Sequence, residues 1–285
     1  VLSVLSMIVW GHHMFTSGMN PYVGEYFSVV TVLVTLPFAV IGLNLIASLW
    51  RAEFRLTTAM LFAIGIISAV GTGGLGGLWL GTAASDIYFH DSVFVVGHFH
   101  FMIGVVTAFG IFAALYYWFP KMFGRHMNET LGKVHFWLTA ASVFPAFIAM
   151  HYLGMAGALR RVYDPTVYDY VRPLQDMNVW ITYLLFVAIA GQLVFFVNLV
   201  LSMFAGRRAA ENPWQGATLE WTTPSPAPHL NWEEPPEVYG GPYQYRVNDA
   251  PDGYIAQHVP PDELTPSLDE FGSLPSEPAF TGGEE

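Results

Sequence analysis

The sequence contains no cysteine. That excludes disulfides, thiolate metal sites and covalent c-type haem attachment within the chain, and it leaves thiol usage silent on redox compartment. Charge is scarce too: Asp, Glu, Lys and Arg make up 12% of 285 residues, against about 25% in ordinary soluble domains. With 53% hydrophobic residues and a mean hydropathy of +0.42, the composition belongs to the membrane class.

The scarce charge is unevenly placed. Residues 1–206 hold eight basic and eight acidic residues, while 207–285 hold three and fourteen, so the net charge of -11 resides in the tail. Thirteen of the nineteen prolines lie there as well. A Pro-rich, acidic stretch of low hydrophobicity buries too little surface to offset its ordering entropy, so residues 207–285 are expected to be an extended or disordered tail. The acidic balance argues against nucleic acid as a partner. Val1 opens inside an apolar run with no basic region before it and no small-residue cleavage site after it, which is not a signal peptide. The expectation is a chain that begins partway through a longer protein or belongs to a split one.

Six apolar segments come close to or exceed the roughly 20 residues that cross about 30 Å of hydrocarbon: 1–16, which is short, then 26–49, 58–81, 93–119, 131–155 and 177–204. The predicted fold is all-α, a polytopic transmembrane helix bundle over 1–206 followed by the tail. None of the six carries Asp, Glu, Lys or Arg in its middle, so ionisable chemistry at depth falls to histidine. The basic loops at 50–57 and 121–130 and the GRR at 206–208 share one side, which the charge bias makes cytoplasmic, the tail included. The loop at 157–176 breaks that bias with Arg160, Arg161 and Arg172 on the outer side. Either Asp164, Asp169 and Asp176 balance them, or the paired arginines hold an anionic ligand, to which their planar donors are suited. Glycines in GTGGLGG (71–77) allow close approach of another helix or of a flat cofactor. Pro37 and Pro145 fall inside spans, where a kink is expected.

The stretch HDSVFVVGHFH (90–100) is the densest polar feature of the apolar region. Successive helical residues are about 100° apart, so His98 and His100 project roughly 200° from each other and serve different partners, with Phe99 between them. A single membrane histidine is commonly a hydrogen-bonded packing residue; two on opposite faces suggest axial haem ligation. His12 and His13 lie side by side at the outer end of the first segment. They converge on one metal only where the helix is irregular, and imidazole without thiolate suits copper, zinc or iron. A polar helix cap is the alternative. His90 and Asp91, at the membrane surface, suit a hard cation completed by water, or a solvated loop. His126, His135, His151, His229 and His258 lack comparable spacing and are read as structural.

Taken together, VWGHHMFTSGM, HDSVFVVGHFHFMIG, MHYLGMAGALRR and NPWQGATLEWTTPSPAP resemble the second half of subunit I of the haem-copper oxidases, in order and spacing, over residues 1 to about 232. The resemblance implies that His12 and His13 are two of three copper ligands. It implies that His98 is the proximal ligand of a high-spin haem, that His100 is one of two ligands of a low-spin haem, and that Phe99 lies between the haems. His90 and Asp91 match a magnesium or manganese site shared with subunit II, and Arg160 and Arg161 match a pair holding haem propionates. The implied cofactors are two haems, expected to be a-type, with copper and magnesium or manganese. The implied function is respiratory cytochrome c oxidase activity, reducing dioxygen to water with coupled proton movement, in a bacterial inner membrane. The implied partners are the N-terminal half of subunit I, subunits II and III, cytochrome c, dioxygen and lipid.

Departures accompany the matches. The third copper histidine, the cross-linked tyrosine, the other low-spin ligand and one acidic proton-pathway end lie on helices that precede this sequence in the family. After Leu36 and Pro37 many members carry a threonine and a lysine of a proton path, where this chain has Phe38 and Ile41. A quinol oxidase, a nitric oxide reductase relative or a membrane haem electron carrier are the alternatives, and metal content discriminates among them.

Overall fold

A computed structural model describes residues 1–52, 54–242 and 255–260. The expectation of an extended or disordered tail over 243–254 and 261–285 lies outside the described residues. Among the described residues there is no β-strand, only two isolated bridges. The helices are α1 (Leu2–Ile8), α2 (Pro21–Leu33), α3 (Thr35–Leu49), α4 (Thr58–Leu80), α5 (Ala83–Phe89), α6 (Val93–Phe99), α7 (Val106–Phe123), α8 (Glu129–Met155) and α9 (Gln175–Ala205).

Among the described residues, five helical stretches are long and apolar enough to cross a membrane: Pro21–Leu49, Thr58–Leu80, Val93–Phe123, Glu129–Met155 and Arg172–Ala205. Residues 1–16 contribute α1, about 10 Å of helix at 1.5 Å per residue, and a 3₁₀ turn over Trp10–Met14. The tighter turn is the irregularity that adjacent ligating histidines require. Pro37 acts as expected: it cannot donate to the carbonyl four residues back, and the span is interrupted at Val34 between α2 and α3. Pro145 lies inside α8, which continues as one helix.

Side-chain caps mark the starts of α2, α6 and α8. Asn20 accepts from the Tyr22 amide at 3.0 Å, Ser92 from Phe94 at 3.2 Å and Asn128 from Leu131 at 3.0 Å. Glu129, in the first turn of α8, also accepts from the amide and the hydroxyl of Thr58, both at 2.9 Å, tying the start of α4 to that of α8. Within the stretch Val93–Phe123 the helix widens into a π-turn over His100–Val105 before α7 begins. Such wide turns recur at functional sites, and this one begins at a candidate ligand.

Lipid tails are as apolar as leucine, so packing and interhelical hydrogen bonds hold membrane helices together. Both devices are present. Phe62 of α4 is fully buried among Phe109, Tyr116, His135 and Phe136. A polar chain runs beside it: the Gln192 amide donates to the Thr139 hydroxyl at 3.0 Å, Gln192 Oε1 lies 3.3 Å from His135 Nε2, and His135 Nδ1 lies 3.3 Å from the Tyr116 hydroxyl. Asn198 continues it, donating to the Asn128 carbonyl at 2.9 Å while accepting from its amide at 3.0 Å. α3, by contrast, buries no residue, and apolar side chains on α2, α3 and α9 face outward.

The chain separates into two compact units: Val1–Phe119 with His126–Arg207, and Pro120–Arg125 with Arg208–Glu285. The bundle is the first. In the second, the Lys121 ammonium donates to the main-chain oxygens of Glu211 and Thr223, and to that of Trp221 at 3.4 Å. Asn212 brackets Gly216 through two bonds of 2.8 and 2.9 Å. Gln257 bonds the Ala217 carbonyl through its amide at 3.1 Å and accepts from the Leu219 amide at 3.1 Å. Beyond the helix end at 120–123, its regular structure is a single 3₁₀ turn, Leu219–Trp221, among the described residues.

Candidate functional site

His12 and His13 stand on the 3₁₀ turn with their Nε2 atoms 3.0 Å apart. The Thr31 hydroxyl donates to the Phe27 carbonyl at 2.5 Å, so toward His12 Nδ1, 3.2 Å away, it acts as acceptor. The proton of neutral His12 is thereby placed on Nδ1, and the Nε2 lone pair is left toward His13. Two imidazole nitrogens that share one ion at about 2.0–2.1 Å each stand roughly 3 Å apart, so the pair fits a common metal.

His98 and His100 face different neighbours, as their angular separation predicts. His98 Nδ1 donates to the Gly73 carbonyl of α4 at 2.8 Å. His100 Nδ1 donates to the Val96 carbonyl of its own helix at 2.8 Å. The His100 ring is stacked between Phe99, at 4.5 Å between centroids, and Phe147 of α8, at 4.9 Å. A carbonyl only accepts, so in both neutral rings Nδ1 carries the proton and Nε2 keeps the lone pair that binds a metal.

The GTGGLGG stretch serves close helix packing at Gly73, Gly76 and Gly77, where an added Cβ would meet Phe101, Met102, His98 or His151 within 3.0 Å. Gly71 and Gly74 face open space.

At the end of α5 His90 Nδ1 bonds Asp86 Oδ2 at 2.8 Å. Asp86 is only 3% exposed, and burial raises its carboxyl above the ordinary range, against the opposing effect of His90. Asp91 is bound by Arg160, whose Nε and Nη2 lie 2.7 and 2.6 Å from Oδ1, while Arg161 Nη1 is 3.9 Å from the same oxygen. The Arg160 hydrogen bond holds the Asp91 carboxyl below its usual range. Both of these basic partners address Oδ1. The loops are zipped by main-chain bonds from Val93 to Ala158 at 2.8 Å and from Arg160 to Asp91 at 3.0 Å. Asp91 and Arg161 both have left-handed backbones, φ 54 and 63, a conformation that costs a non-glycine residue energy and gathers at functional sites. The acid that balances Arg160 is therefore Asp91, across the loop, whereas Arg172 pairs with Asp169 at 3.0 Å as one sequence reading expected.

Thr31, Gly73 and Asp86 were not read from the sequence as site residues. Thr31 and Gly73 act through contacts across the fold, whereas Asp86, an acid four residues before His90, makes a local contact and offered a local clue. Among the described residues no three His, Asp or Glu side chains form a complete metal set.

The family model described as "Cytochrome C and Quinol oxidase polypeptide I" matches residues 1–193. The alternative cytochrome c oxidase subunit 1 of Bradyrhizobium diazoefficiens is 40% identical over 263 residues, covering 91% of this chain and 44% of that protein. The cytochrome c oxidase subunit 1 of Thermostichus vulcanus is 43% identical over 245 residues, covering 85% of this chain and 43% of that protein. The chain thus spans less than half the length of these relatives. A haem-copper terminal oxidase dimer solved by cryo-electron microscopy superposes with a TM-score of 0.63 at 19% identity, over 71% of this chain and 40% of that one, a likeness of fold. The match over 1–193, with the relatives' identity along nearly the whole chain, places this protein in the cytochrome c and quinol oxidase polypeptide I family.

Proposed function

We propose that this chain is the C-terminal half of the catalytic subunit of a respiratory cytochrome c oxidase. The observation that carries the reading is the state of three histidines: His12, His98 and His100 each have Nδ1 committed to an oxygen acceptor, leaving Nε2 as the ligating atom. A hydrogen bond from the other ring nitrogen orients a metal-ligating imidazole and raises its basicity.

In this reading His12 and His13 hold copper, His98 holds the iron of the high-spin haem and His100 that of the low-spin haem. Phe99 fills the space between the two haem ligands. Arg160 and Arg161 hold propionates, and His90 with Asp91 offers two donors to magnesium or manganese. The remaining ligands come from the N-terminal half of subunit I, from subunit II and from water. When bound, the haems (taken as a-type) and copper supply electron storage and the chemistry that reduces dioxygen to water. The protein's residues hold these groups in place within an apolar setting. Cytochrome c is the electron donor, supported by the names of the relatives, and subunit III completes the complex in a bacterial inner membrane with the tail on the cytoplasmic side.

The test is the assembled complex. Metal analysis and an optical spectrum are expected to show copper with a high-spin and a low-spin haem, and reduced cytochrome c to support oxygen consumption. Absence of copper overturns the reading; activity with quinol alone replaces the donor.

Thr31→Val removes the acceptor of His12 Nδ1 while conserving shape. Copper affinity is expected to fall about 10–100-fold, the usual cost of losing an outer-shell partner, as read by competition with a chelator.

Phe38 and Ile41 lie on α3 with 36% and 48% exposure and offer no proton-carrying group. Protons therefore take a route that avoids them, or pumping is weak. Proton-to-electron stoichiometry in vesicles is expected to be the same for Phe38→Leu, Ile41→Leu and the parent oxidase. Loss of proton movement in either variant contradicts this.

A further inference from the structure

His151, on α8, lacks the spacing of a ligand, yet its ring is placed against the seat of His98. Its Nδ1 donates to the Phe147 carbonyl at 2.7 Å, so Nε2 carries the lone pair. That Nε2 is buried and has no hydrogen-bond partner among the described residues. A buried acceptor left without a donor carries an uncompensated desolvation cost. An apolar ring would fill the same space without that cost, so packing alone does not account for a histidine.

The glycines around it show what the ring faces. A Cβ added at Gly76 of α4 would lie 2.9 Å from His151 Nε2 and 3.4 Å from His98 Nδ1. Both imidazoles thus close on the same glycine of α4. A Cβ at Gly97, immediately before His98, would lie 2.5 Å from His151 Nδ1, and one at Gly77 would lie 3.0 Å from His98 Cε1. The His151 ring occupies the notch left by missing side chains on α4 and α6. Phe94 closes the notch edge-on, with ring centroids 4.7 Å apart.

We infer that His151 is a positioning residue for His98: its ring fixes the approach of α4 to α6, and its Nε2 lone pair turns a negative dipole end toward the His98 Nδ1–H···O bond. This inference rests on the reading of His98 as a haem ligand. A negative dipole end beside that N–H makes the ligand more basic, in an apolar setting where such an effect is weakly screened. A more basic ligand favours oxidised iron and lowers the haem's potential.

The test uses the assembled oxidase with His151→Phe, which keeps a planar ring and removes the lone pair, and His151→Gln, which restores a polar acceptor. Resonance Raman of the reduced complex reads the iron–histidine stretch, and a redox titration reads each haem's midpoint potential. Expected for His151→Phe are both haems retained, a lower stretching frequency, a raised potential of the high-spin haem and an unchanged low-spin haem. His151→Gln is expected to return part of both shifts. If His151→Phe does not assemble, the Gln variant is compared directly with the parent, and an intermediate shift supports the inference. An unchanged stretch and potential in whichever variants assemble overturns it. Absence of an iron–histidine stretch from the unmodified complex overturns the haem reading of His98, and with it this inference.

Discussion

Leucine at position 98 and leucine at position 100 are expected to cost the assembled oxidase different haems. His98 addresses α4 through the Gly73 carbonyl, whereas His100 is stacked between Phe99 and Phe147 of α8. Two residues so close in sequence therefore face different surroundings. His98→Leu is expected to remove the high-spin bands and abolish oxygen consumption while the low-spin bands persist; His100→Leu removes the low-spin bands. Optical spectra of the purified complexes make the comparison. A structural control is His135→Leu, which strands Tyr116 and Gln192 at a cost of about 1–3 kcal/mol and should lower stability without selecting either haem. Loss of the same haem in both ligand variants contradicts the assignment.

Alanine at either His12 or His13 is expected to remove copper and abolish oxygen reduction with both haems still bound. The Nε2 atoms of this pair are 3.0 Å apart and share one locus. Removing either leaves a site short of a ligand, a larger loss than the roughly 10–100-fold expected for an outer partner such as Thr31. Copper per haem in the purified complex checks this. Full copper in either variant would place the metal elsewhere and leave the two histidines as a cap on the 3₁₀ turn.

Much of the fold follows from local rules. The membrane class comes from composition, and the span order from apolar runs and polar caps such as Asn20, Ser92 and Asn128. The interruption at Val34 follows from the chemistry of Pro37. The angular separation of His98 and His100 is a property of any helix, and the structure gives them different neighbours as that angle requires. The first segment shows where the local rule ran short. Its apolar run extends to residue 16, but α1 ends at Ile8 and the histidines sit on a tighter turn, a change of helical pitch that hydropathy does not register.

By itself the sequence determined that this is a histidine-bearing membrane bundle with an acidic tail, and which histidines stand on different sides of one span. Those properties arise from transfer energies and helical angles, which act over a few residues. Only the tertiary structure decided what each imidazole nitrogen does: Gly73 lies 25 residues from His98, Thr31 lies 19 from His12, and Asp91 meets Arg160 across 69. It also set His151 against the glycines beneath His98. Such contacts depend on which helix faces pack, and the placement of protons on the histidines follows from that packing.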